Sequence, residues 1–126
     1  IPFILSELFF KKKKKLVFKS GSDFEASFTF IDDVTNVIEK MIKMKKFKFS
    51  TFHFGSGKNY KIKKIIKFIN KNYKDKKIVS GPGYAPWSND SVIRGPMITS
   101  NKINFYKPRI NIKTGVKKYI NYILNK

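Results

Sequence analysis

The chain has 126 residues, no cysteine, a single histidine (His53), and 28 Lys and Arg against 8 Asp and Glu, a formal charge of +20. That length fits one domain able to bury roughly two-thirds of its unfolded surface. The absence of thiols excludes disulfides and cysteine-ligated metals, and a lone His leaves no His cluster for zinc. A charge this high ordinarily points to nucleic acid or an anionic membrane. Only Arg94 and Arg109 are arginines, however, and the abundance of Lys, Ile, Asn, Phe and Tyr is what A/T-rich codons produce. Base readers and phosphate clamps lean on the arginine fork. The lysines therefore read as a solvated surface spread over all faces, with no specific nucleic acid and no membrane expected as partner.

The chain opens on Ile1-Pro2-Phe3-Ile4-Leu5 with no initiator Met, which reads as an internal piece of something longer. Its first apolar run is broken by Ser6 and Glu7 and is far shorter than the ~20 residues that span a bilayer. Charges follow that run instead of preceding it, the reverse of a signal peptide. Pro2 suits a first helical turn, and Ile4, Leu5, Leu8 and Phe9 share one side, so a short amphipathic helix is expected. Lys11 to Lys15 can bind acidic lipid or phosphate; they are assigned to a solvated connection into a strand at 16–18. Lys19-Ser20-Gly21-Ser22-Asp23 then makes a turn.

Over residues 27–60 the period switches from strand to helix and back. Phe28 and Phe30 alternate along 27–31, Val34, Val37, Ile38, Met41 and Ile42 recur at helical spacing, and 50–54 alternates again, which predicts a βαβ unit. Asp32 and Asp33 fall where the helix begins. Each can accept a hydrogen bond from a first-turn N–H and complement the dipole, so a cap is preferred to a catalytic pair. Phe52 and Phe54 give the second strand an aromatic face, partly uncovered and open to another chain. The Gly55-Ser56-Gly57-Lys58 turn can cradle phosphate with its amides. Tyr60 stands where the dinucleotide fingerprint needs its third Gly, and Phe52 and Asn59 break the P-loop pattern, so the turn is read as structural.

A helix over 61–73 presents Ile62, Ile65, Ile66 and Ile69 on one face, and a short strand follows at 77–79. Gly81-Pro82-Gly83 and Pro86 keep the next stretch irregular. There Tyr84 and Trp87 can stack on a base or sugar, or cover the edge of the core. Asn111 is the expected N-cap of a last helix whose face carries Ile112, Val116, Tyr119, Ile120, Ile123 and Leu124. The fold class is mixed α/β, three to four helices against short strands.

SFTFIDDV at 27–34, followed by FHFGSGK at 52–58 and an amphipathic helix, resembles the second half of the extended short-chain dehydrogenase/reductases, the NAD-dependent sugar-nucleotide epimerases and dehydratases. The resemblance continues through Arg94-Gly95-Pro96, Thr99 to Lys102, Lys107-Pro108 and Gly115, covering essentially all of the chain. It departs at Ala26, where the family has Arg, at His53, where it has Asn, and at Phe105-Tyr106, where it has Leu-Gly. No Asp follows Arg94. The resemblance implies a single substrate-binding domain over 1–126, the C-terminal portion of a longer enzyme whose NAD-binding Rossmann half is absent. It places Arg94 on the diphosphate of a nucleotide sugar and Phe18 and Ser20 near the base, with Phe3 and Ser27 as further substrate-binding positions. NAD belongs to the parent protein and none to this chain. No catalytic residue and no metal site is assigned, because the family's Tyr-x-x-x-Lys pair lies upstream. Tyr60 with Lys64, Tyr73 with Lys77 and Tyr122 with Lys126 match that spacing by chance. The implied partners are a nucleotide sugar, the missing half and a second copy of the full-length protein, in the cytoplasm. The competing class is a basic module for nucleic acid or an anionic surface.

Overall fold

Proline lacks the N–H that a first helical turn would leave unpaired anyway. In the computed structural model, which describes residues 1–44, 53–84 and 106–125, helix α1 accordingly spans Pro2–Leu5 with Pro2 at its start and widens into a π-helical turn, Ser6–Phe10. Leu5, Leu8 and Phe9 point inward, while Phe3 and Phe10 face solvent. Glu7 is buried among them. A buried charge persists only when paired, and the Glu7 carboxylate is held by Lys11 at 2.6 Å and Lys13 at 2.5 Å. Those two lysines keep its carboxyl below the usual range.

Strand β1, Lys15–Phe18, pairs in parallel with β4, Lys77–Ser80, in the register Leu16↔Ile78 and Val17↔Val79. Because side chains alternate along a strand, Leu16, Phe18 and Ile78 turn to the core and Lys15, Val17, Lys77 and Val79 turn out. Helix α3, Ile62–Asn72, buries Ile65, Ile66 and Ile69. It is tied to β4 by one side chain: Asn70 Nδ2 donates to the Ile78 carbonyl at 2.9 Å and Asn70 Oδ1 accepts the Ile78 N–H at 2.8 Å. The amide thus occupies both backbone groups of Ile78 that a third strand would otherwise take. Helix α4, Ile112–Leu124, starts at the expected cap, with Asn111 Oδ1 accepting the Thr114 N–H at 3.0 Å. Its Val116, Ile120 and Ile123 complete one core with Leu5, Leu8, Ile69 and Ile78. Among the described residues a mixed α/β fold with four α-helices and short strands results.

Between Ser27 and Tyr60 the arrangement departs from the expected unit. Strand β2 is Glu25–Ser27, two residues earlier than the alternation suggested, and it pairs antiparallel with β3, Asn59–Lys61. Helix α2 is Ile31–Ile42, with Phe30 as a cap that supplies no side-chain hydrogen bond. Residues 50–52 lie outside the described residues, and His53 and Phe54 are not in a strand. The parallel pair joins β1 to β4 instead, since alternation marks a strand without naming its neighbour. Phe54 is half-buried: it packs beside Tyr106, ring centroids 5.7 Å apart, in a second small cluster with Val37 and Met41. Apolar surface is open on α2 as well, where Ile38 and Ile42 are 47% and 78% exposed.

The reading of Asp32 and Asp33 as caps is corrected in the same place. Both lie inside the first turn and so still complement the helix dipole. Their oxygens bond elsewhere. Asp32 pairs with Lys118 of α4, and Asp33 turns into the protein to hold residues 106–110.

Candidate functional site

In parallel α/β sheets ligands gather beyond the carboxyl ends of the strands. For β1 and β4 those ends are Phe18 and Ser80, and the two loops that follow are bonded into one unit. Gly81 N–H donates to the Phe18 carbonyl at 3.0 Å, Ser22 N–H to Gly81 at 3.1 Å, and Gly21 and Asp23 N–H groups both to the Gly83 carbonyl at 3.1 Å. Asp23 answers through its side chain, Oδ2 accepting the Gly83 N–H at 2.8 Å. That amide, followed by Lys63 at 3.3 Å, holds the Asp23 carboxyl below its usual range. The approach is close enough to need glycine: a Cβ on Gly81 would stand 2.0 Å from the Lys19 carbonyl oxygen. Gly21 and Gly83 have φ of 110° and 88°, which only glycine adopts at little cost.

Phe18 and Ser20 are both on this platform. The Phe18 side chain packs against the main core, and the Ser20 carbonyl accepts the Ser80 hydroxyl at 3.1 Å. Ser27 sits on β2, where its hydroxyl lies 3.2 Å from that of Ser56. Phe3 stands on α1 with 65% of its surface open. Arg94 and Trp87 lie outside the described residues. The structure therefore places Phe18 at the end of β1 with Ser20 in the loop that follows, and Ser27 and Phe3 on separate elements.

Asp33 forms a second constellation. It is 1% exposed, and it accepts the Tyr106 hydroxyl at 2.7 Å and the Arg109 and Ile110 N–H groups at 3.0 and 2.9 Å. Burial pushes its carboxyl up, but the amide of Arg109, the hydroxyl of Tyr106 and the amide of Ile110 outweigh that, and the group ends below the ordinary carboxylate value. Burial and the Asp33 charge raise the Tyr106 hydroxyl in turn. A carboxylate so fully engaged cannot shuttle protons; it fixes the segment that leads into α4. The sequence hinted at burial only through the position of Asp33 beside Val34 and Val37, and nothing in it named residues 106–110 as the partners.

An apolar groove of about 240 Å³ runs between α1, residues 28–31 and α4, with Leu5, Phe28, Phe30, Ile112 and Val116 among its walls. Gly115 lets α4 approach here, since a Cβ would meet the Phe30 ring at 2.8 Å. Fit to a dinucleotide can be tested at Gly55-Ser56-Gly57. The Ser56 N–H is already donated to Thr29 Oγ1 at 3.2 Å, and Tyr60 occupies the third glycine position, so this turn does not fit a pyrophosphate. Among the described residues no group of three or more His, Cys, Asp and Glu could hold a metal ion, and no helix is long and apolar enough to cross a membrane.

No family model matches the chain. Over 113 residues it is 31% identical to an uncharacterized protein of Methanocaldococcus jannaschii, an alignment covering 88% of this chain and 33% of that protein. The chain thus spans about a third of the length of the curated relative it matches. Among solved structures it is similar to an NAD-dependent NDP-hexosamine 5,6-dehydratase of tunicamycin biosynthesis, with TM-score 0.70 and 14% identity over 99% of this chain and 40% of that one. A GDP-D-glycero-L-gluco-heptose synthase from Campylobacter jejuni gives TM-score 0.63 and 16% identity over 90% of this chain and 33% of that one. A GDP-mannoheptose C4 reductase from Campylobacter jejuni, with NADP bound, gives 0.62 and 17% over 99% and 42%. At these identities the likeness establishes architecture alone: the chain has the mixed α/β fold found in part of each of these three proteins.

Proposed function

We propose that this chain is the sugar-nucleotide-binding portion of an NAD-dependent epimerase or dehydratase acting on a nucleotide sugar, and that it is not catalytic alone. The observation that supports this best is the fold likeness, which takes in 90–99% of this chain but only 33–42% of the sugar-nucleotide enzymes it resembles. The bonded platform of residues 18–24 and 80–83 favours the same reading, because it lies where α/β sheets take ligands. On this reading Arg94 binds the diphosphate with its fork, and Phe18, Ser20, Ser27 and Phe3 complete the pocket. NAD is held by an upstream half, and the enzyme works in the cytoplasm as a homodimer.

Calorimetric titration of the chain with GDP- and UDP-linked sugars, and separately with NAD, tests the proposal. The expected result is nucleotide-sugar binding that falls by at least about tenfold in Arg94→Ala, as loss of a charge-assisted contact does. Ala26→Arg, which restores the family's residue on β2, should tighten it. Stoichiometric NAD binding without any response to nucleotide sugars would overturn the assignment.

A further inference from the structure

Two lysine runs far apart in sequence, residues 11–15 and Lys74, Lys76 and Lys77, each lead directly into a strand. Parallel pairing of β1 with β4 delivers both to the same end of the sheet. Lys15 and Lys77 are register partners, and the Lys77 N–H donates to the Lys14 carbonyl at 2.8 Å. Eight lysines meet there with two carboxylates, Glu7 and Asp75. Glu7 is buried under Lys11 and Lys13, and Asp75 pairs with Lys76 at 3.4 Å. Lys12, Lys14, Lys15, Lys74 and Lys77 are exposed and pair with no carboxylate among the described residues. Exposed lysines also line α3 and α4, and at this pole two runs of them converge.

Like charges set directly opposite across strands repel, so a fold that holds Lys15 beside Lys77 gains when an anion lies over them. Apolar surface shares the face: Val17 and Val79, also register partners, are 64% and 40% exposed. We propose that this outer face of β1 and β4, with Lys12 and Lys14 at its rim, docks on an anionic lipid bilayer. Charge complementarity and composition select that occupant. Nucleic acid would favour arginine forks and aromatic rings on the face for stacking, whereas the face offers lysine and valine. A bilayer surface receives both, the ammonium groups among the headgroups and the valines at the acyl boundary. Its lysines lie at the opposite end of β1 and β4 from the 18–24 and 80–83 platform, and Val17 and Val79 turn away from the core, so the proposal does not rest on the sugar-nucleotide reading.

Vesicle flotation of the 126-residue chain tests this. Phosphatidylcholine vesicles with and without about 30% phosphatidylserine, at about 0.15 M salt, are the probes. Flotation separates bound protein from aggregates, which sink. The chain should float with the anionic vesicles only. The Lys14→Gln/Lys15→Gln/Lys77→Gln variant should lose about 100-fold in partitioning, from about fivefold per lysine. Lys64→Gln/Lys67→Gln/Lys71→Gln, which removes the same charge from the outer face of α3, should change it by less than about fivefold. Val17→Ser/Val79→Ser should weaken binding at unchanged charge. Circular dichroism on each variant confirms that the fold is retained. Equal loss in the two lysine triples would reduce the effect to general charge and overturn the proposal. So would face-dependent binding of a single-stranded oligonucleotide without flotation, which would assign the face to nucleic acid.

Discussion

Asp33 carries more of this architecture than any other polar side chain described above, because its two oxygens accept three hydrogen bonds from residues 106–110. Removing it leaves a buried hydroxyl and two amides without an acceptor. Asp33→Ala should therefore cost about 3 kcal/mol, and Tyr106→Phe, which deletes one donor, about 1 kcal/mol, both measured by urea unfolding. The sign of the pH effect follows from the direction of the shift. The folded-state value lies below the unfolded one of about 3.9, so the stabilisation is present in full above that value and is lost as pH falls through the folded one. Asp33→Asn should flatten the acid limb of a stability–pH curve below about pH 4. Some slope will remain, because Glu7 and Asp23 are shifted in the same direction.

At the scale of elements, helices were legible and strand partners were not. Ile62, Ile65, Ile66 and Ile69 at helical spacing, and the Asn111 cap, are local signals, and α3 and α4 form where those signals lie. Pairing is a long-range property. The β1 to β4 register and the β2 to β3 antiparallel pair depend on the burial of Leu16, Phe18 and Ile78 and on the platform glycines. Gly81→Ala forces a methyl group against the Lys19 carbonyl and should destabilise by about 2–3 kcal/mol, with the largest loss of amide-exchange protection at Gly21, Ser22 and Asp23. Asn70→Asp keeps the acceptor for Ile78 N–H and loses the donor. It should be less stable than wild type at pH 7, because it sets a carboxylate against the Ile78 carbonyl, and should recover as that carboxylate is protonated at low pH.

For the molecule as a whole, the uncovered apolar surface sets behaviour. Ile38 and Ile42 on α2, and the groove between α1 and α4, leave apolar surface open to a second chain. Sedimentation velocity should show concentration-dependent self-association, reduced in Ile38→Lys/Ile42→Lys. A single sharp monomer boundary at high concentration would contradict this.

Composition, periodicity and motif order by themselves determined the mixed α/β class, a helix along Val34 to Ile42, one over 61–73 and one capped by Asn111, and the placement of Phe18 in a strand with Ser20 in the turn after it, because each depends on neighbours within a few residues. The motif series also pointed to the architecture that the solved structures share with this chain, since it runs in the same order along the chain. Only the tertiary structure decided that Asp33 is a buried anchor instead of a cap, that Phe54 packs beside Tyr106, and that two lysine runs converge at one pole. In each case the deciding energy comes from groups that meet only when distant segments pack, where burial makes an unpaired charge or amide too costly to leave.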